Sequence, residues 1–208
     1  MACATVLITG AFERECDIKP VQGISRAWIG NWSELDKTAS TTVKGGTVLT
    51  NLALLDNANL IFELEGDEDV FQGTSDIVIG DFENGFTHNF SYRILYQGPD
   101  QLEQLRLLTQ KAKVFIIAEM VDRGRFSEET RFRVFGYENG LIISAAPYDS
   151  NADGGSTLVT LTTKENQEET TPPKLYYKRT AGTDTDDGTA DDVYSTETDI
   201  IALTTARS

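Results

Sequence analysis

The only histidine in the 208 residues is His88, so any acid–base or nucleophilic chemistry built on an imidazole has to run through it. It sits in an alternating, β-patterned run from Phe86 to Tyr96. No Gly-x-Ser-x-Gly elbow, Walker loop or Gly-x-Gly-x-x-Gly after a strand is present to supply a nucleophile or a phosphate cradle. A histidine so placed is expected at a sheet surface or as a satisfied core residue. The 33 Asp and Glu residues make carboxylate pairs abundant, and abundance singles out no pair for glycosidase-type chemistry. Asp149-x-Asn151-x-Asp153-Gly154 matches the opening of a calcium loop, but its twelfth position is Thr160 where a bidentate Glu is needed. A turn built from Asx residues accounts for it better. Trp28 and Trp32, with Tyr176 and Tyr177, could stack on a sugar or a base, although core and interface packing is the commoner use. Cys3 and Cys16 form no Cys-x-x-Cys pair, which leaves zinc and thioredoxin-type sites without support. They are expected as free thiols. The expected catalytic, cofactor-binding and metal-ligating residues are therefore none, and the chain is expected to be a non-enzymatic structural protein.

The elements around these residues are mostly strands. Short β-type runs occupy Ala4–Thr9 and Gly23–Ile29, the second with Ile24 and Trp28 expected on one face. Residues 37–55 pass from a Thr/Ser-rich stretch through Lys44-Gly45-Gly46 to an apolar run, Val48–Leu55, which reads as a long hairpin or as an arm that orders on assembly. Leu60–Glu65, Val70–Gln72 and Asp76–Ile79 are strands. Phe86–Tyr96 carries apolar residues on both faces, as suits a strand covered on both sides. Asp100 is the expected N-cap of the one helix, whose Leu102, Leu105 and Leu108 should pack on a sheet. Lys113–Val121 is a buried strand. Thr130–Tyr137 and Leu141–Ile143 flank Glu138-Asn139-Gly140, which reads as a tight turn and a hairpin. Ser156–Thr163 is a Thr-rich strand, and Pro172-Pro173 ends regular pairing.

Composition sets further bounds. With 39% hydrophobic and 25% charged residues, a real core is available. The net charge of −15 disfavours direct nucleic-acid binding and attachment to anionic membranes. Its plainest use is to keep a self-associating protein in solution. The start of the chain lacks a basic n-region, and Glu119 interrupts the longest apolar run, so neither a targeting segment nor a membrane span is expected. The expected organisation is a β domain over residues 1–177, with a possible assembly arm at 37–55, followed by an acidic C-terminal arm over 178–208. That arm is rich in Asp and closes with Ile200-Ile201-Ala202-Leu203.

In order, the pieces are Cys16, Gln22-Gly23-Ile24 and a strand through Trp28-Ile29; Asn84-Gly85-Phe86-Thr87; the Gln101–Thr109 helix; the Lys113–Glu119 strand; and Val134-Phe135-Gly136-Tyr137-Glu138-Asn139-Gly140-Leu141. A Gly-rich loop, a Thr-rich strand, Glu168-Glu169 and Pro172-Pro173 follow. This order, over residues 12–177, resembles the tail-tube-like virion proteins of tailed bacteriophages, especially those of phages infecting Bacteroides-type bacteria. The resemblance implies a β-sandwich or small barrel with one packed helix. It further implies closed homo-oligomeric rings, commonly of six or twelve subunits, in contact with neighbouring virion proteins and lining a DNA channel. On this reading the acidity keeps the lumen from holding DNA, no cofactor or membrane is involved, and the protein resides in the virion after assembly in the host cytoplasm. Other virion parts, such as a head-decoration or fibre-base protein, are the first alternative, and a carbohydrate-active β-sandwich enzyme is a further one.

Overall fold

The structure is a computed structural model, and it describes residues 23–56, 61–64, 70–79, 84–94, 98–110, 112–121, 131–148, 156–177 and 196–204. Cys3, Cys16, the strand expected at 4–9 and the Asp149–Gly154 motif lie outside these residues. The elements in chain order are β1 (Ile24–Asn31), β2 (Thr41–Val43), β3 (Val48–Asn51), β4 (Ile61–Leu64), β5 (Gln72–Ile79), β6 (Asn84–Ile94), α1 (Pro99–Thr109), β7 (Val114–Met120), β8 (Phe132–Phe135), β9 (Leu141–Ala145), β10 (Thr157–Thr163), β11 (Lys174–Tyr176) and α2 (Thr196–Thr204). The fold is mainly β, as expected, and matches a β-sandwich or small barrel with packed helices. The strands join in the order β2-β3-β11-β8-β7-β9-β10-β6-β5, and β1 and β4 extend the other edge of β7.

Strand β7 is the centre of the molecule. Its near-continuous apolar run, Val114-Phe115-Ile116-Ile117-Ala118, suits a strand buried on both faces. Period-two alternation splits it between two cores. Val114, Ile116 and Ala118 enter a first core with Phe90, Tyr92, Phe135, Leu141, Val159 and Leu161. Phe115 and Ile117 enter a second with Trp28, Leu49, Ile61, Phe132, Val134 and Tyr176. On β1, Ile24 pairs with Met120 and Arg26 with Glu119, so a bulge inserts one residue. The bulge places Ile24 in the first core and Trp28 in the second, not on the shared face that simple alternation predicts. On β6 His88, Phe90 and Tyr92 are buried on one face, whereas Thr87, Asn89, Ser91 and Arg93 on the other are only half-buried.

The expected hairpin across Glu138-Asn139-Gly140 does not form. Strands β8 and β9 do not pair with each other; both lie along one edge of β7, whose other edge β1 occupies throughout. Phe135 pairs with Ile116 and Leu141 with Val114. Six residue steps on this strand thus match two on β7, and residues 136–140 form a wide bulge. The physical reason lies in two glycines with left-handed backbone, Gly136 at φ 72° and Gly140 at φ 76°. They close a five-residue turn through Gly140 N–H donating to Gly136 O at 3.2 Å, where a two-residue turn needs Asn139 itself at positive φ. Past the bulge, β9 leaves β7 and pairs with β10.

The remaining differences concern chain ends and helices. Helix α1 starts at Pro99 with Gly98 as its cap, ahead of the expected Asp100. Proline has no N–H to lose at a first helical position and its fixed φ suits it. Leu105 and Leu108 pack against the first core, whereas Leu102 is half exposed. Residues 41–51 form the β2–β3 hairpin, and β3 runs parallel to β11. Val48, Leu49 and Leu52, the side chains that an assembly arm would hold in reserve for a neighbour, are already buried in this chain. The C-terminal segment contains α2, whose Ile200 is fully buried in the second core.

Candidate functional site

Strand β10 and strand β11 flank β9 and β8 on the edge away from β7. Thr163 pairs with Leu141, and Lys174 with Val134. Eleven residue steps on this side therefore oppose seven on the other, so residues 164–173 bulge outward beside the 136–140 bulge. Two irregular segments are left side by side between regular strands, with backbone donors that no ladder satisfies.

Each bulge satisfies the other through a carboxylate. Glu169 Oε1 accepts the backbone N–H groups of Glu138 at 3.1 Å and Asn139 at 3.3 Å. In return Glu138 Oε2 accepts Thr170 N–H at 2.6 Å and the Thr170 hydroxyl at 2.8 Å. Asn139 Nδ2 donates to Glu168 O at 2.9 Å. Lys174 is buried beneath: its Nζ donates to Glu138 Oε1 at 2.9 Å, to the Thr171 hydroxyl at 2.9 Å and to Gly46 O. Lys37 Nζ donates to Glu138 O at 2.5 Å and stands 4.0 Å above the Trp32 ring. Burial lowers the affinity of Lys37 for its proton, partly offset by Glu169 and Glu138.

Behind Glu169 lies His88, and both are fully buried. The Glu169 backbone pairs with Phe86 on β6 in both directions, at 2.8 and 2.9 Å. That approach needs Gly85: a Cβ there would stand 2.6 Å from Glu168 Cβ and 3.0 Å from Glu169 O. Thr163 Oγ1 accepts the His88 N–H at 2.9 Å. The imidazole Nδ1 faces the Gly136 N–H at 3.5 Å and Glu169 Oε2 at 3.6 Å, and its edge meets the Phe135 ring. His88 Nε2 and Glu169 Oε2 have no hydrogen-bond partner. Burial is the main influence on both groups, because it disfavours the charged form. It pushes His88 down to about 4, against the opposing pull of the Thr171 backbone and Glu138, with Lys174 adding to the fall. It pushes Glu169 up to about 7; Glu138 adds to the rise, and the Asn139 and Glu138 N–H groups and Lys174 oppose it. Between these values a neutral imidazole sits against a protonated carboxyl. One proton is held in place, out of contact with solvent.

His88 is thus a core residue as expected, but one with an unsatisfied nitrogen and a carboxyl neighbour that sequence reasoning did not pair with it. The available signal was positional: Asn84-Gly85-Phe86-Thr87, Val134–Leu141, Glu168-Glu169 and Pro172-Pro173, far apart in sequence, all meet here. Trp28 and Tyr176 are buried in the second core, and the Trp32 indole donates to Tyr137 O at 3.0 Å, so the four aromatic residues form no open stacking platform.

A second polar cluster ties α2 to the sheet. Arg26 donates to Glu119 Oε2 at 2.5 Å and to Glu197 Oε1 at 2.7 Å. Arg131 donates to Glu119 Oε1 at 2.8 Å and to Glu197 Oε2 at 2.7 Å. Two guanidinium groups and two carboxylates alternate around a ring, which lets Glu119 be fully buried on β7. The Glu119 bond is the largest influence holding the Arg26 proton more tightly than usual. Among the described residues, no group of three or more His, Cys, Asp or Glu side chains converges to hold a metal ion, and no helix is long and apolar enough to cross a membrane. No protein-family model, curated protein or solved structure matches this chain.

Proposed function

We propose that this chain is a non-enzymatic structural subunit of a tailed-phage virion. It assembles with copies of itself into a ring or tube in the tail or neck, against neighbouring virion proteins, with DNA passing through the lumen unheld. The observation that carries the assembly is the β5–β6 hairpin. Ile77 pairs with Phe86 and Ile79 with Asn84. Directly opposed residues share a face, so both isoleucines lie on the core side of the sheet, in line with His88 and Phe90. Yet Ile77 is 68% and Ile79 82% exposed, and Ser75 on the same face of β5 is exposed as well. Each side chain is worth roughly 1.5–3 kcal/mol when buried, and β5 is also a sheet edge among the described strands, a ready template for pairing with another chain. The resemblance in the order of sequence pieces supplies the virion context, and the charge of −15 suits a surface that DNA must slide past. The full burial of His88 and Glu169 supports the non-enzymatic part, since neither can touch a substrate.

The test is negative-stain microscopy and mass photometry of the purified chain, beside an Ile77→Asp/Ile79→Asp variant. Rings or tubes are expected for the native chain, and single subunits of unchanged melting temperature for the variant. A native chain that stays monomeric at every concentration overturns the proposal.

A further inference from the structure

Glu138-Asn139-Gly140 and Glu83-Asn84-Gly85 are the same tripeptide at two places in the chain. An asparagine followed by glycine can modify itself, because glycine has no Cβ to hinder the approach of its own nitrogen. At Asn139 a bond forms between Gly140 N and Asn139 Cγ, and the Cγ–Nδ2 bond breaks. Nδ2 leaves as ammonia, taking the proton from Gly140, and a succinimide ring closes. Water then opens the ring at either carbonyl, giving aspartate or isoaspartate. No oxidant or other reagent is consumed.

The paired bulges oppose each requirement of that reaction. Gly140 must give up its proton, but its N–H donates to Gly136 O at 3.2 Å. The Asn139 amide must swing onto Gly140 N, but Nδ2 donates to Glu168 O at 2.9 Å. The backbone at Asn139 must rotate, but its N–H is held by Glu169 Oε1 at 3.3 Å. Each hydrogen bond that has to break first slows ring closure about fivefold, so the three together slow it about a hundredfold relative to an unfolded chain. The product does not fit the site it leaves. A carboxylate at position 139 turns an oxygen towards Glu168 O where the amide donated, and it adds a charge beside Glu138. The isoaspartyl form also lengthens the backbone by one methylene. Gly140 is packed so closely that even a Cβ would stand 3.0 Å from Trp32 Cγ and from Lys113 Cβ.

We infer that Asn139 is a self-modification site held latent by the paired bulges: it reacts when residues 136–140 and 164–173 part, and the acidic product keeps them from closing again. One opening is thereby recorded as a one-way covalent change. The half-buried position of Asn139 puts the ring within reach of the water that hydrolyses it. The inference stands independently of the assembly reading above.

Peptide mapping by mass spectrometry tests it on the full-length chain, incubated at mildly alkaline pH in water enriched in heavy oxygen. The heavy oxygen marks carboxyl groups formed during the incubation. In urea above the unfolding transition, Asn84 and Asn139 share one tripeptide and should react at the same rate, which gives the intrinsic value. In the folded chain Asn139 should react about a hundredfold more slowly than that. Glu169→Ala removes the acceptor of the Asn139 N–H and should raise the folded-state rate about fivefold or more. Should that variant fail to fold, Asn139→Asp carries the test, since it puts the carboxylate of the product into the folded chain directly. It should lose hydrogen-exchange protection at Gly140 and Thr170, while β10 keeps its own. A folded-state rate within a few fold of the rate in urea overturns the latency. Full protection at Gly140 and Thr170 in Asn139→Asp overturns the one-way record.

Discussion

Replacing either member of the buried His88–Glu169 pair should tilt the pH dependence of stability, and the two replacements should tilt it in opposite directions. In the unfolded chain Glu169 titrates near 4.5 and His88 near 6.5, whereas in the fold they titrate near 7 and near 4. From about pH 4.5 to 6.5 the unfolded chain carries one proton on the imidazole and the folded chain one on the carboxyl. Equal proton counts mean that the pair contributes almost no slope there. Each shift alone is about 2.5 units, or about 3 kcal/mol at 1.36 kcal/mol per unit. Glu169→Gln retains an oxygen acceptor for the Glu138 and Asn139 N–H groups and leaves only the depressed His88. Its contribution is full above pH 6.5 and is lost as pH falls through about 4, so relative to the native chain this variant should lose about 3 kcal/mol on acidification over that window. His88→Gln leaves only the raised Glu169, whose contribution is full below pH 4.5 and is lost as pH rises through about 7, a similar loss in the other direction. Neither residue is among the groups that shift the other, so each shift should survive the substitution. Urea unfolding followed by tryptophan fluorescence at half-unit steps from pH 4 to 7.5 gives the profiles. Cavity or packing losses offset a profile without tilting it. Three parallel profiles would refute the argument that one buried proton is relocated on folding.

Gly136→Ala should destabilise by about 2–4 kcal/mol in the same assay, since φ is 72° and a Cβ would stand 2.7 Å from Leu141 Cγ and 3.2 Å from Val114 O; a change below the assay error would mean that the bulge tolerates side chains. Phe90→Ala, which empties a fully buried site in the first core, should cost about 3–5 kcal/mol by chemical denaturation. Glu119→Gln leaves two guanidinium groups sharing one carboxylate and should cost about 2–4 kcal/mol, with loss of amide protection in α2 as the accompanying signal by hydrogen exchange. An isolated loss of stability with α2 still protected would mean that the ring of charges does not hold the helix.

Sequence by itself determined the local elements and the class of fold. The apolar run of β7, the Thr-rich alternation of β10 and the Leu105/Leu108 stripe of α1 are short-range patterns, and backbone periodicity fixes which side chains share a face. Tertiary structure alone decided which strands lie beside which. Asn139-Gly140 carries a strong hairpin signal, but β7 offered β8 and β9 a common edge, and Gly136 supplied the second left-handed residue that makes the detour a bulge. One inserted residue at Ser25 reversed the relation of Ile24 to Trp28, because a single step in a strand exchanges its faces. The burial of Ile200 and the meeting of His88 with Glu169 have the same cause. Both depend on contacts between residues far apart in the chain, whose formation is governed by the packing of the whole sheet, and no pattern within either segment encodes its partner.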